Sequence, residues 1–317
     1  MRGTIRLFKL FGINVYLHWS FVFLIVYLMY VTYSRHADVK SFFTLLALVI
    51  IIFACVIMHE YGHALAARRY GISTHDITIL PIGGVARLTH IPKNPSQELV
   101  VVIAGPAVNL AIFLLLSLFA IVVFHYHPTL ESFFVDDEDL ELTRWGALVV
   151  SVANANFFLM LFNLVPAFPM DGGRIFRALM CFAMPRPRAT FIASLVGRAF
   201  AIAIFGFALY NPFNPDDEPK PMLALLAVAV FISARNEYKQ VRSEDRFENT
   251  KVNVVMVTMQ NFEPLPNDYF IETDANETLK SVSEKMNIAQ TKFGIVKDQN
   301  QIVGTVNFDD ILSYINS

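Results

Sequence analysis

The chain has 317 residues, of which 55% are hydrophobic and only 16% are charged. Together with a mean hydropathy of +0.48, this composition exceeds what the core of a soluble domain needs and indicates a membrane protein with several spans. The net charge of −2 provides no basic field for nucleic acid, so we expect no direct nucleic-acid partner. The two cysteines lie in apolar stretches and argue against a disulfide framework.

Six apolar stretches are read as transmembrane helices. The first follows a basic N-terminus and is too long and too aromatic for the apolar region of a signal peptide, so we expect it to be retained. The sixth has only thirteen residues and would be a short span. In chain order the stretches cover residues 16–33, 42–65, 99–124, 147–164, 191–209 and 222–234.

Charge differs between alternate loops. The N-terminus and the segments after the second, fourth and sixth spans each carry at least three lysines or arginines. The loops after the third and fifth spans instead contain the acidic runs 135–141 and 214–218. By the positive-inside rule we expect a multi-pass protein of the cell membrane, in contact with lipid, with both termini in the cytoplasm.

The second stretch contains the pattern His59-Glu60-Tyr-Gly-His63. Residues four apart on a helix lie one turn apart on the same face, so the two imidazoles can bind one Zn²⁺ while Glu60 acts on water as a general base. Ionisable groups inside an apolar span are costly and indicate function. The alternative is a hydrogen-bonded polar cluster that holds helices together.

A catalytic zinc needs a third protein ligand and an open coordination position. Asp171 is the candidate, because the fourth stretch breaks after Asn163 into a segment with prolines and glycines around this lone carboxylate. Irregular backbone at membrane depth is tolerated only where it is buried or lines a wet cavity. The alternative is that Asp171 begins a cytoplasmic helix. His59 lies about 26 Å along the second span, which predicts a site in the cytoplasmic half of a core about 30 Å thick.

The C-terminal part is more polar. We interpret residues 1–234 as the membrane domain, 235–251 as a charged, helical linker, and 252–317 as a small α/β domain. The pattern in this domain predicts strands over 252–257, 293–296 and 302–306. It also predicts helices over 278–288 and 309–315.

The membrane domain resembles the site-2 protease family of intramembrane zinc metalloproteases, over roughly residues 1–240. The resemblance rests on four patterns: His59-Glu60-x-x-His63, Pro81-Ile-Gly-Gly-Val85, Gly105-Pro-Ala-Val-Asn109, and Asn163-x-x-Pro166 followed by Asp171-Gly172. It implies a polytopic α-helical protein with one Zn²⁺ per chain, held by His59, His63 and Asp171. With Glu60 as the base, water would hydrolyse a peptide bond inside a transmembrane segment.

The resemblance also implies how the substrate binds. Gly83, Gly84 and Val85 would form a re-entrant edge strand that pairs with an unwound substrate, and Asn163 and Pro166 would line the groove. Alternatively, Asn163 and Pro166 only shape the bend. The implied partner is a single-pass membrane protein, such as an anti-sigma factor or a membrane-tethered transcription-factor precursor, cleaved in regulated intramembrane proteolysis.

The C-terminal domain resembles a single CBS domain, on Val254-Val-Met, Phe293-Gly-Ile-Val and Gly304-Thr-Val-Asn307-Phe-Asp-Asp310. The resemblance implies an adenine-nucleotide site, for ATP or AMP, with contacts from Asn307 and Asp310. Alternatively, the domain is a dimerisation unit without a ligand. CBS domains pair and this chain has one, so the resemblance implies a homodimer.

Two other classes of function remain open. A metal transporter or sensor would need polar residues spread through several spans, whereas here they concentrate in the second and fourth. A scaffold without catalytic activity would not require Glu60. The sequence therefore favours a peptidase.

Overall fold

The structure is a computed structural model that describes residues 3–81, 83–126, 144–210, 220–258, 270–299 and 301–316. Its helices are α1 (Phe21–Ser34), α2 (Val39–Arg68), α3 (Pro95–Phe124), α4 (Arg144–Asn163), α5 (Asp171–Met180), α6 (Arg186–Leu209), α7 (Pro221–Asn249), α8 (Leu279–Ile288) and α9 (Phe308–Asn316). Its strands are β1 (Thr4–Leu10), β2 (Ile13–His18), β3 (Thr74–Leu80), β4 (Gly83–Leu88), β5 (Val257–Thr258), β6 (Phe270–Asp274), β7 (Phe293–Asp298) and β8 (Gln301–Asn307).

Four of the described helices are long and apolar enough to cross a membrane: α2, α3, α4 from Trp145, and α6. They confirm the second to fifth predicted spans. On α3, large apolar side chains such as Leu115 and Leu118 are more than half exposed, as expected on a face that meets lipid rather than water.

The predicted count of six spans is not confirmed. The first predicted stretch is divided, because its beginning is the end of strand β2 and helix α1 has only 14 residues. A helix of that length covers about 21 Å, less than a hydrocarbon core of about 30 Å. The sixth stretch is the apolar beginning of α7, which continues into a charged second half. The two acidic loops used to predict orientation, 135–141 and 214–218, lie outside the described residues.

A four-stranded sheet in the order β1-β2-β3-β4 packs against α2, and of its strands only β4 was expected from the sequence. Strands β2 and β3 are parallel, with α1 and α2 crossing between them, while the other two pairs are antiparallel. Ile13, Val15 and Ile77 of the sheet pack against Tyr61 and Ala64 of α2. This packing fixes the edge strand β4 beside the helix that carries the two histidines.

Two buried charges and a half-buried one join helices α3, α5 and α7, and we call these residues, Glu98, Arg177 and Glu237, the ion-pair cluster. Arg177 has no exposed surface; its Nε donates to Glu98 Oε1 at 3.0 Å and its Nη1 to Glu237 Oε1 at 2.6 Å. Its Nη2 also donates to Glu98. The guanidinium lies 5.4 Å from the ring centroid of Phe168, in the segment that leads into α5. The cluster thus fixes α5 on both sides.

The C-terminal residues form a second sheet, in the order β5-β8-β7-β6, packed with α8 and α9 around a core that includes Leu279, Val296 and Ile311. The helices and the two later strands that the sequence predicted are confirmed. The predicted strand over 252–257 is wrong, because Val252–Val254 forms a 3-10 turn and only its last residue begins β5. Strand β6 was not predicted. Residues 235–249 continue α7, so the predicted linker is helical; the domain boundaries stay a prediction.

Candidate metal centre and active-site cavity

Helix α2 presents His59 and His63 on one face, as their spacing predicted. His59 is 5% exposed, and the two Nε2 atoms lie 3.0 Å apart. Nδ1 of His63 is 2.9 Å from the carbonyl oxygen of Val101 on α3, so this ring is held with Nε2 turned toward its partner histidine. The two imidazoles therefore converge on one point.

Asp171 reaches that point from the other side. Its Oδ2 lies 3.1 Å from Nε2 of both His59 and His63. Asp171 is also the first residue of α5, but the N-cap position is Met170 and no side chain caps the helix there, so the alternative that Asp171 serves as a helix cap is not confirmed. Gly172 makes this start of α5 possible, because a side chain there would collide with the carbonyl oxygens of Leu164 and Val165.

The three residues fit a zinc ion. Two neutral imidazoles and one carboxylate are a donor set found in catalytic zinc sites, and their ligand atoms all lie within 4.8 Å of one another. Ligand atoms bound tetrahedrally at about 2.0–2.1 Å would be separated by about 3.3 Å, close to the spacing here. His59, His63 and Asp171 are therefore able to hold the metal, with little rearrangement.

Helix α3 packs directly on this centre, at Gly105. A β-carbon built at this residue would lie 2.7 Å from His59 Nε2 and would also collide with the His63 ring. A glycine is consequently required here by close packing rather than by backbone conformation. Close packing against the two histidines thus explains why the pattern from Gly105 to Asn109 begins with a glycine.

Glu60 lines the same cavity as the three ligands and contacts strand β4. Its Oε2 accepts a hydrogen bond of 3.0 Å from the backbone N–H of Ala86. Gly84 lies so close that an added β-carbon would be 2.8 Å from Glu60 Cγ. The re-entrant segment that the family resemblance implied is therefore in contact with the predicted base.

One cavity of about 520 Å³ includes these groups, a volume typical of ligand sites. It brings together His59, Glu60, His63, Asp171, Gly83, Gly84, Val85 and Asn163 from the predicted set. Pro166 does not line the cavity; Pro169, three residues later in the bend, does.

Several lining residues were not assigned a role from the sequence. Leu226 and Val230 come from α7 and Arg174 from α5, so the wall depends on helix packing that periodicity does not report. Asn109 also lines the cavity. The signal that could have identified it is an amide side chain within an apolar span, since such groups are expensive unless they have a function.

Asn307 and Asp310 lie together at the start of α9, on the C-terminal sheet. Asn307 Oδ1 accepts a hydrogen bond of 3.1 Å from the backbone N–H of Asp309, an arrangement that caps the helix. Asp310 is exposed in the first turn. The structure accounts for Asn307 without a ligand, and nucleotide binding stays a prediction.

Comparisons with known proteins agree on one family. The sequence profile of peptidase family M50 matches residues 47–142 and 134–204. The zinc metalloprotease MJ0392 of Methanocaldococcus jannaschii is 30% identical over 314 residues, which cover 98% of this chain and 80% of the relative. Among solved structures, the site-2 protease from Methanocaldococcus jannaschii matches with a TM-score of 0.52 and 31% identity, over 74% of this chain and 95% of that chain.

Proposed function

Because this chain belongs to peptidase family M50, and is a multi-pass membrane zinc metalloprotease, we propose that it cleaves peptide bonds inside transmembrane segments of membrane-tethered regulatory proteins. One observation carries this proposal. His59, His63 and Asp171 converge within 3.1 Å, and Glu60 is held beside an edge strand in the same cavity.

His59, His63 and Asp171 hold one zinc ion in this proposal. When bound, the ion polarises the peptide carbonyl and lowers the pKa of water, so that a nucleophile is available near neutral pH. The protein contributes by fixing the ligands: the carbonyl oxygen of Val101 orients His63, and Gly105 leaves room for both rings.

Glu60 carries the proton through the reaction. Glu60 accepts a proton from water as the water oxygen bonds to the peptide carbon. At the same time the electron pair of the peptide C=O bond moves onto the carbonyl oxygen. When the C–N bond breaks and the carbonyl re-forms, Glu60 passes the proton to the departing amine. The hydrogen bond from the Ala86 N–H to Oε2 holds the Glu60 carboxylate in place beside β4.

Strand β4 presents the substrate in this proposal. It is at the edge of the sheet order, and a substrate unwound from a helix can pair with Gly83–Val85 as an added strand. Asn163 lines the same cavity, and Pro166 shapes the bend that ends at Asp171. Glycines in β4 suit this role, because they leave backbone groups accessible.

The physiological setting follows from the same reasoning. We propose that both termini are cytoplasmic, that the cleaved product is released toward the cytoplasm, and that the substrate is a single-pass protein. An anti-sigma factor or a membrane-tethered transcription-factor precursor would suit. The C-terminal domain would pair with that of a second chain, and ATP or AMP at Asn307 and Asp310 would adjust activity.

Replacing Glu60 with Gln tests the chemistry. The probe is a fluorescein-labelled transmembrane peptide with a pair of glycines in its apolar segment, so that it unwinds readily, presented to the full-length protein in detergent. We expect wild type to cleave within the apolar segment, as located by mass spectrometry, and Glu60→Gln to lose cleavage while retaining one zinc per chain. The proposal would be contradicted if the wild-type protein bound zinc but cleaved neither this probe nor co-expressed single-pass proteins. That result is the one expected of a metal transporter or sensor.

A further inference from the structure

Asn109 is a buried amide without a partner. Its side chain is on α3 within a candidate membrane span, the residue is 1% exposed, and neither Oδ1 nor Nδ2 has a hydrogen-bond partner among the described residues. An unpaired amide away from water costs free energy of folding, so this side chain does not serve to hold helices together. The cost indicates that its partner is a group brought into the site.

The position of Asn109 identifies where that partner lies. Val101, Gly105 and Asn109 follow one another at four-residue spacing and form one row on the surface of α3. Val101 contacts His63 through its carbonyl oxygen, and Gly105 packs against the Nε2 atoms of both histidines. Asn109 is therefore the next residue of the row, about 6 Å further along the axis. It lines the same cavity as Glu60 and Asn163.

We propose that Asn109 is a further catalytic residue, whose Nδ2 donates a hydrogen bond to the carbonyl oxygen of the peptide bond being cleaved. This inference rests on the proposed peptidase function. The carbonyl oxygen gains negative charge when water adds to the peptide carbon, and it loses that charge when the C–N bond breaks. Asn109 transfers no proton. A donor fixed in a dry wall interacts more strongly with the charged oxygen than with the neutral one, so it lowers the barrier.

An amide suits this task better than the other polar groups of the cavity. Glu60 is occupied with proton transfer and repels negative charge, and the two histidines direct their Nε2 atoms at Asp171. Asn163 is at the end of α4 and partly exposed, so water competes for its amide. Asn109 has neither an internal partner nor solvent, and its donor is available when the substrate enters.

The test is Asn109→Leu, which retains the approximate size of the side chain and removes the donor. With the labelled glycine-pair peptide, we expect kcat to fall roughly 100- to 1,000-fold and KM to change less than about threefold, because the interaction is made only in the transition state. Zinc content should remain at one per chain. The melting temperature should be equal or higher, since the unpaired amide is removed.

Asn156→Leu is the matched control. Asn156 is a fully buried amide of α4 that does not line the cavity, and its Nδ2 donates to the carbonyl oxygen of Val152 at 2.9 Å. We expect this variant to lose thermal stability while kcat stays within about threefold of wild type. If Asn109→Leu does not fold, Asn109→Ala provides the same test in a smaller side chain.

The inference is overturned if a folded, zinc-loaded Asn109 variant keeps kcat within about threefold of wild type, or if only KM rises. A lower melting temperature without a fall in kcat would assign Asn109 a structural role instead. These outcomes are distinct from failure of the proposed function. In that case wild type itself does not cleave the peptide, and there is no kcat with which a variant could be compared.

Discussion

Two buried polar clusters lie at opposite ends of helix α5, and they differ in how completely they are paired. In the ion-pair cluster, Arg177 donates to Glu98 and to Glu237, so each of the three charges faces an opposite one. In the metal centre, Asp171 and two imidazoles direct their ligand atoms at one another across about 3 Å, with Nδ1 of His59 unpaired among the described groups.

This difference distinguishes a polar cluster that stabilises the fold from one that binds a ligand. A cluster that satisfies its own charges needs nothing further and fixes helices in place, whereas a cluster with convergent donors and unpaired atoms requires a ligand. The two are physically connected, because Asp171 is the first residue of α5 and Arg177 lies in its last turn. The ion-pair cluster thus fixes the helix that presents the third metal ligand.

The largest expected effect is at the metal centre. We expect Asp171→Ala to lose zinc and to reduce peptide cleavage by several orders of magnitude, because the ligand set becomes incomplete and metal catalysis supplies several kcal/mol of charge stabilisation. Zinc per chain, measured by mass spectrometry, and cleavage of the labelled peptide report the result. The free energy of unfolding of the zinc-free variant should stay within about 1 kcal/mol of that of zinc-free wild type. Retention of one zinc per chain would remove Asp171 from the ligand set.

The second effect is on stability and comes from the ion-pair cluster. Arg177→Met removes the hydrogen-bonded partner of both Glu98 and Glu237 and leaves buried Glu98 with only Arg186, 4.0 Å away, as a positive neighbour, so we expect the free energy of unfolding to fall by about 3–5 kcal/mol. Chemical unfolding in detergent, followed by tryptophan fluorescence, measures this loss. The combined variant Glu98→Gln, Arg177→Met and Glu237→Gln serves as control and should recover much of it. If the single variant is as stable as wild type, the cluster does not fix α5.

The smallest effect is a pH dependence from one member of the same cluster. Burial by itself would raise the pKa of Glu237, but the positive charges of Arg174, Arg177 and Arg186, and the hydrogen bond from Arg177, lower it below its usual value. A lowered pKa in the folded state means that the folded protein binds this proton less readily than the unfolded chain. The stabilisation is therefore complete above the unfolded-state pKa, about 4.3, and is lost as the pH falls through the folded value.

We expect the melting temperature of wild type to fall below that pH, and Glu237→Gln to show a shallower decline. Differential scanning calorimetry between pH 3 and pH 7 compares the two proteins. Identical slopes would mean that Glu237 titrates normally in the folded protein. The effect should be smaller than that of Arg177→Met, because that substitution removes the hydrogen-bonded partner of two carboxylates, whereas Glu237→Gln changes a single one.

Two of the features that the sequence did not predict involve residues far apart along the chain. Residues of strand β2 pair with residues of β3 that lie 62 positions later, such as Asn14 with Asp76. The apolar residues of β2 run directly into those of α1, so the hydrophobic pattern alone suggested one long helix. Glu98 and Arg177 are 79 residues apart, and isolated charges near the ends of apolar stretches are indistinguishable from surface charges. The strand predicted over 252–257 is wrong because β-branched residues favour strands only where a partner edge is available.

What the sequence by itself determined is local. Four membrane helices follow from apolar runs, and the facing of His59 and His63 follows from the helical repeat, because both depend on contacts within a few residues. Tertiary packing decided the rest. The convergence of Asp171 from 108 residues away, the contact between Ala86 and Glu60, and the unpaired burial of Asn109 arise only when separate helices and a sheet edge close around one cavity.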